Sequence, residues 1–241
     1  MKHDVTLALF DLDHTLLPLD SSQAWGHFMV RHGLVDAADF LSRLDRFQDD
    51  YLACRLDLDA YNRFIAAPLT RFGRAELDAW HRRFMRETIE PALRPAARQL
   101  VARHLAAGDL CCLVTATLDF ITRPIAHALG IPHLLAIELA TADGAASGPF
   151  TGDTVGVPTF REGKVIRTGQ WLVTQGLEWH RLAASHFYSD SFNDLPLLTQ
   201  VSHPVAVNPD ARLLAHASAR GWPVLTLFDP PVTGQDGQRP C

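Results

Sequence analysis

The chain has 241 residues, 47% of them hydrophobic, and a formal net charge of -5. That length buries one sizeable core with an insert, or two small domains, and the acidic balance leaves no basic footprint for nucleic acid. Cys54, Cys111, Cys112 and Cys241 form no C-x-x-C pair, there is no signal-peptide stretch, and no apolar run approaches a membrane span, so the expectation is a soluble cytoplasmic protein without a zinc site or disulfide framework.

The first element is "TLALFDL" (6–12), a short apolar run without polar alternation, which reads as a buried strand. Residues two apart on a strand point the same way, so Asp11 and Asp13 project together from its carboxyl end with Leu12 facing away. Residues 18–92 hold helical patterns and no convincing strand. Asp20 or Ser21 caps a first helix carrying Ala24, Trp25, Phe28 and Met29. Phe40, Leu44, Phe47 and Tyr51 form a second stripe, and Leu77, Trp80 and Phe84 a third. The segment reads as a helical cap inserted after the first strand. Next, "RPAARQLVARHLAAG" (94–108) is an amphipathic helix stopped by Gly108.

Further apolar runs follow at 109–116, 133–140, 185–190, 204–208 and 223–228, most of them separated by helical patterns. Strands alternating with helices predict a parallel sheet of right-handed βαβ units. Residues 141–160, rich in Gly and Thr, read as a hairpin or loop excursion, and the Pro- and Gly-rich tail 228–241 as frayed. The fold class is therefore α/β, with a discontinuous core over 1–17 and 93–241 and a cap over 18–92.

Ligands of such sheets bind beyond the carboxyl ends of strands, where Asp11, Thr115 and Asp190 all fall. "YSDSFNDLPLL" (188–198) adds Asn193 and Asp194, "REGKV" (161–165) offers Lys164 in a glycine-flanked turn, and "LVTAT" (113–117) offers Thr115, Thr117 and backbone N–H groups entering a helix. Carboxylates this close repel unless one is protonated or a cation sits between them. Four carboxylates, a lysine and a hydroxyl-bearing helix start suit a hard divalent cation and a phosphoryl group. Each residue has a plain structural alternative. The aspartates can cap turns and helix starts, Lys164 can be a solvated loop charge, and Thr115 can reflect strand propensity. His14 reads as structural or as rim. Trp25, Tyr51 and Trp80 read as interhelical packing or ligand contacts, and Cys111 and Cys112 as core residues.

The order D-x-D-x-T, then Thr, then Lys, then D-x-x-x-D resembles the haloacid dehalogenase superfamily, and "FDLDHTLL", the helical insert, "GK" and "YSDSFNDLPLL" look most like its phosphoserine-phosphatase-like branch. Some relatives in that branch are assigned histidinol-phosphate phosphatase activity. The resemblance implies a Rossmann-like core and a Mg²⁺-dependent phosphatase acting through an aspartyl-phosphate. In that scheme Asp11 is the nucleophile and Asp13 the acid and base; the residues alone leave open which of the two attacks. Asp11, the Asp13 carbonyl and Asp190 hold Mg²⁺ with Asp194 in support. Thr115, Ala116, Lys164 and Asn193 bind phosphate. Asp13 also favours phosphoryl transfer over dehalogenation, because dehalogenating members lack it.

The partner so implied is a small phosphorylated metabolite, with no nucleic acid or membrane, and homodimerisation is left open. Asp20 stands nine residues after Asp11, where phosphoserine phosphatases carry a Glu for the substrate amine. Ile65 stands where they carry an arginine for its carboxylate; Arg63 faces about 200° round the helix, and Arg55 is the other candidate. Histidinol phosphate, which has the amine and no carboxylate, is therefore favoured over phosphoserine, with Trp25 or Tyr51 stacking on its ring. The competing readings are a phosphotransferase or mutase using the same intermediate, and a receiver-type phospho-accepting module, which is about half this length and lacks a helical insert.

Overall fold

β1 (Thr6–Phe10) is apolar on both faces and buries its last four residues, as a strand covered on both sides must. The computed structural model describes residues 5–53 and 55–229; Cys54, Cys241 and the tail from residue 230 lie outside the described residues. Helices α1 (Ser21–Arg31), α2 (Ala37–Leu52), α3 (Leu58–Ala66) and α4 (Arg74–Phe84) follow. A π-helical turn (Met85–Ile89) joins α4 to α5 (Glu90–Ala92). Asp20, Asp36 and Asp57 start the first three helices by accepting the backbone N–H of Gln23, Asp39 and Ala60. α6 (Pro95–Ala107) opens on proline and ends at Gly108, whose φ of 78° is the left-handed stop expected of it.

The remaining elements alternate: β2 (Leu110–Leu118), α7 (Asp119–Ala128), β3 (His133–Thr141), β4 (Phe150–Val155), α8 (Glu162–Thr174), β5 (Ala184–Ser189), α9 (Leu195–Gln200), β6 (His203–Val207), α10 (Ala211–Arg220) and β7 (Val224–Leu225). The irregular stretch 141–160 supplies β4, which turns back on β3 with Glu138 opposite Val155, so the sheet is parallel except at this edge. The run at 223–228 contributes only the two residues of β7.

The sheet order is β4-β3-β2-β1-β5-β6-β7. The chain leaves β1 towards one edge and returns to β5 on its other side. This reversal makes the carboxyl ends of β2, β1 and β5 a topological switch point, where a parallel sheet opens a crevice.

Pleating sends Leu7 and Leu9 to one face of the sheet, and Ala8 and Phe10 to the other. The second face's core continues through Leu12, Leu16 and Leu17 into Trp25, Phe28, Phe64 and Phe84 of the helical segment. The helices thus share one apolar core with the sheet.

Within that core, the buried ring of His81 packs against Trp25, Phe84 and Phe120, and its Nε2–H donates to the Ile121 carbonyl at 2.9 Å. Burial pushes its pKa down, against the opposing effect of that carbonyl. The unfolded chain therefore binds a proton that the folded chain excludes, and stability falls as pH drops below about 6.5. Thermal unfolding at pH 7.5 and 5.0 is expected to show a larger acid loss in the native chain than in His81→Gln. Equal losses would remove His81 as the cause.

Candidate active site

Asp11 follows β1 directly, and its backbone N–H still donates to Tyr188 of β5 at 2.9 Å. The strand itself stops at Phe10. A tight turn follows, in which the Leu12 carbonyl accepts the N–H groups of Thr15, Leu16 and Leu17 and His14 takes a φ of 58°. Leu12 is buried in the core, while Asp11 and Asp13 both line the same pocket. The turn, and not the pleat of a longer strand, brings the two carboxylates together.

Hydroxyl groups tie the pieces to one another. Thr15 Oγ1 donates to Asp190 Oδ1 at 2.9 Å and accepts the Asp190 N–H at 3.0 Å, joining the turn after β1 to the turn after β5. Thr117 Oγ1 donates to Asp13 Oδ2 at 2.8 Å, and the Ser21 N–H at the start of α1 donates to Oδ1 at 2.8 Å. Ser189 Oγ donates to Asp194 Oδ2 at 2.7 Å.

Lys164 is 3% exposed and donates to Asp11 Oδ1 at 2.8 Å and Asp194 Oδ2 at 2.7 Å. It sits in the first turn of α8, a buried ion pair and not a solvated loop charge. The preceding Gly163 is required there, since a Cβ would stand 1.9 Å from the Pro158 carbonyl oxygen.

Thr115 is buried near the end of β2, where pairing with β3 shifts register between Val114 and Leu118. The expected helix start at Thr115–Thr117 is thus a strand irregularity, and α7 begins only at Asp119. Thr115, Ala116, Asn193 and Asp194 line the same pocket as Asp11 and Asp190.

Burial dominates the electrostatics. It raises the pKa of Asp11 against the lowering effect of Lys164, and it pushes Asp13 up to about 6, aided by Asp20. Asp194 also goes up to about 6 through burial, with Lys164 opposing and Asp11 reinforcing. For Lys164, burial disfavours the charge, but the facing Asp11 and Asp194 outweigh it and hold the pKa above its ordinary value.

The haloacid dehalogenase-like hydrolase profile matches residues 8–199, a span that includes each of these groups. The chain belongs to this family. A histidinol-phosphatase of Neisseria meningitidis is 44% identical over 221 residues, covering 92% of this chain and 98% of that one. A phosphoserine phosphatase of Mycobacterium tuberculosis is 34% identical over 220 residues, 90% of this chain and 69% of that one. Among solved structures, a Bordetella pertussis protein of unknown function superposes with a TM-score of 0.88 at 47% identity, over 93% of this chain and 100% of that one. A substrate-bound phosphoserine phosphatase shares the fold, with a TM-score of 0.64 at 15% identity, over 93% and 94% of the two chains. This haloacid dehalogenase-like hydrolase is a phosphatase.

The helical wall of this hydrolase's pocket departs from expectation. Asp20 lines it, accepting the Gln23 N–H at 2.8 Å, and burial raises its pKa. Trp25 does not: it is fully buried among Phe28, His81, Phe84 and Phe120. Arg55 turns outward to Asp50 at 2.7 Å, and Arg63 reaches Asp153 on β4 at 3.5 Å, both side chains exposed. Neither arginine is on the pocket wall. Tyr51 is on the wall, and burial, reinforced by the nearby Asp190 and Asp20, pushes the pKa of its hydroxyl up.

Sequence reasoning missed Tyr61, whose hydroxyl donates to Ser22 Oγ at 3.0 Å, and the pocket residues Gln23 and Gln48. It also passed over Ser189. The one available signal was its place at a strand end directly before Asp190.

Proposed function

We propose that this phosphatase hydrolyses a small amine-bearing phosphomonoester lacking a carboxylate, with histidinol phosphate the candidate substrate, through an aspartyl-phosphate on Asp11 and with Mg²⁺. The carrying observation is the charge of the pocket: Asp11, Asp13, Asp20, Asp190 and Asp194 face it, and among the described lining residues Lys164 is the only lysine or arginine. A divalent cation offsets part of that negative charge. The remainder attracts an ammonium and opposes a carboxylate, which would be desolvated without its bidentate partner. The identity shared with the Neisseria meningitidis histidinol-phosphatase supports the same substrate.

The donor set fits Mg²⁺. Among the described residues, no three His, Cys, Asp or Glu side chains form a ready-made cage. Mg²⁺ commonly takes one or two carboxylates and completes its shell with water and substrate oxygens, so Asp11, Asp190 and the Asp13 carbonyl would hold it with Asp194 behind. The ion would supply charge neutralisation for the incoming phosphoryl oxygens.

Asp11, held by Lys164, attacks phosphorus and the ester oxygen leaves. Burial, aided by Asp20, pushes Asp13 up to about 6, which suits it to give the leaving oxygen a proton and then take one from the water that cleaves the acyl-phosphate. Thr115, Lys164 and the Ala116 N–H bind the phosphoryl oxygens, and Asn193 completes that set. Residues 18–92 act as the cap that selects the substrate. The protein works in the cytoplasm, a location in keeping with the buried free thiols Cys111 and Cys112.

The test is kcat/KM for histidinol phosphate and phosphoserine with Mg²⁺, with EDTA, and with Ca²⁺. Histidinol phosphate is expected to be preferred at least about tenfold, one charge-assisted hydrogen bond's worth. EDTA should abolish turnover, and the larger Ca²⁺ should fail to restore it. Full activity in EDTA, or a preference for phosphoserine, overturns the reading.

A further inference from the structure

We propose that the side-chain amides of Gln23 and Gln48 form one specificity element that reads the heterocycle of the substrate, offering an acceptor and a donor to the two nitrogens of a neutral imidazole. The inference rests on the substrate reading above and adds the residues that recognise the ring.

Gln23 lies in the first turn of α1 and Gln48 on α2. Both line the pocket and both are half-buried. Gln23 Nε2 donates to Gln48 Oε1, so the two amides form a pair across the two helices. That bond consumes one donor of Gln23 and one lone pair of Gln48. The Gln23 carbonyl oxygen and the Gln48 amino group take no other hydrogen bond among the described residues. Turning both amides over exchanges which residue carries which group, but the pair still presents one free acceptor and one free donor.

The surroundings suit a ring. Phe47 and Tyr51 flank Gln48 on α2 and line the same pocket, giving it aromatic walls. The pair is also fixed relative to Asp20, because the Gln23 backbone N–H bonds the Asp20 carboxylate. A substrate held by its phosphoryl group near Asp11 and Lys164, and by its amine near Asp20, has its third substituent left for this wall. A neutral imidazole carries one N–H and one bare nitrogen, the complement of the pair. A phenyl ring of similar shape fills the space but buries the pair's remaining acceptor and donor unsatisfied, and sites built to hydrogen-bond a substrate reject such analogues strongly. An imidazolium carries two donors and faces the Gln48 amino group with the wrong one.

The experiment compares kcat/KM for histidinol phosphate and for phenylalaninol phosphate, which keeps the amine and phosphate and replaces imidazole by phenyl. The ratio of the two cancels any general loss of folded or active enzyme. The native enzyme is expected to favour imidazole about 100-fold, and Gln48→Met to bring the ratio below about 5. Gln23→Met, which removes the other half of the pair, provides the same test should the first variant fold poorly. The native ratio should also fall as pH drops through the ring's pKa, about 6.5. A ratio that survives both substitutions overturns the assignment. So does a native ratio near unity, while histidinol phosphate remaining better than phosphoserine would leave the proposed function standing. An enzyme that does not hydrolyse histidinol phosphate overturns both.

Discussion

Asp11→Asn is expected to abolish turnover while leaving the protein folded. A carboxamide keeps the shape of the side chain but is a very poor nucleophile towards phosphorus, and losing a nucleophile removes on the order of 10⁴-fold or more in kcat. Stability should move the other way. Asp11 stands in a pocket with Asp13, Asp190 and Asp194, and burial disfavours its charge even with Lys164 bound at 2.8 Å. Neutralising one member of that crowd, in the absence of metal, relieves repulsion, so the variant should melt at or above the temperature of the native chain in EDTA. Activity lost with stability kept separates a reacting group from a structural one. Retention of more than a tenth of native kcat, or a variant that is inactive because it is unfolded, would sink the assignment.

The parts of this site that are local in the chain are the parts a reading of the sequence reaches. A run buried on both faces that ends in acids is visible in "TLALFDLD" and in "SHFYSD", although the tight turn that brings Asp13 beside Asp11 is not. The left-handed stop at Gly108 is equally local. What the sequence left undecided depended on contacts far apart in sequence. Trp25 lies on the same helical stripe as Phe28, and only the approach of His81, Phe84 and Phe120 decides that it faces the core. Arg63 lies off the pocket wall, where it meets Asp153, ninety residues on. Lys164 is flanked by glycine, which suggests a turn, yet Gly163 is there because the chain approaches Pro158 closely as α8 begins. Thr115 lies in a strand irregularity set by the register of β2 against β3, and the helix the sequence suggests there begins only at Asp119. Gln23 and Gln48 are unremarkable polar residues on amphipathic helices until two helices bring their amides into contact.

Lys164→Met is expected to cost both activity and stability, with a pH dependence that identifies the cause. The ammonium bridges Asp11 Oδ1 and Asp194 Oδ2 at 2.8 and 2.7 Å and is 3% exposed. Methionine has a similar length and no charge, so it leaves two desolvated carboxylates without their shared cation. Removing one partner of a buried pair typically costs about 3–5 kcal/mol. The carboxylates can escape by taking up protons: Asp194 already titrates near 6 with Lys164 in place, and without the ammonium its folded pKa rises further. A carboxyl whose folded pKa is raised above its unfolded value stabilises the fold at low pH and loses that contribution as pH rises through the folded pKa. The variant should therefore be strongly destabilised in urea at pH 8 and much closer to the native chain at pH 5, both in EDTA. Turnover at pH 8 with metal should fall about 10²–10³-fold, the usual cost of one preorganised donor to a developing anion. A stability loss of equal size at both pH values would mean that Lys164 acts by packing alone, and turnover above a third of the native rate would remove it from the phosphoryl site.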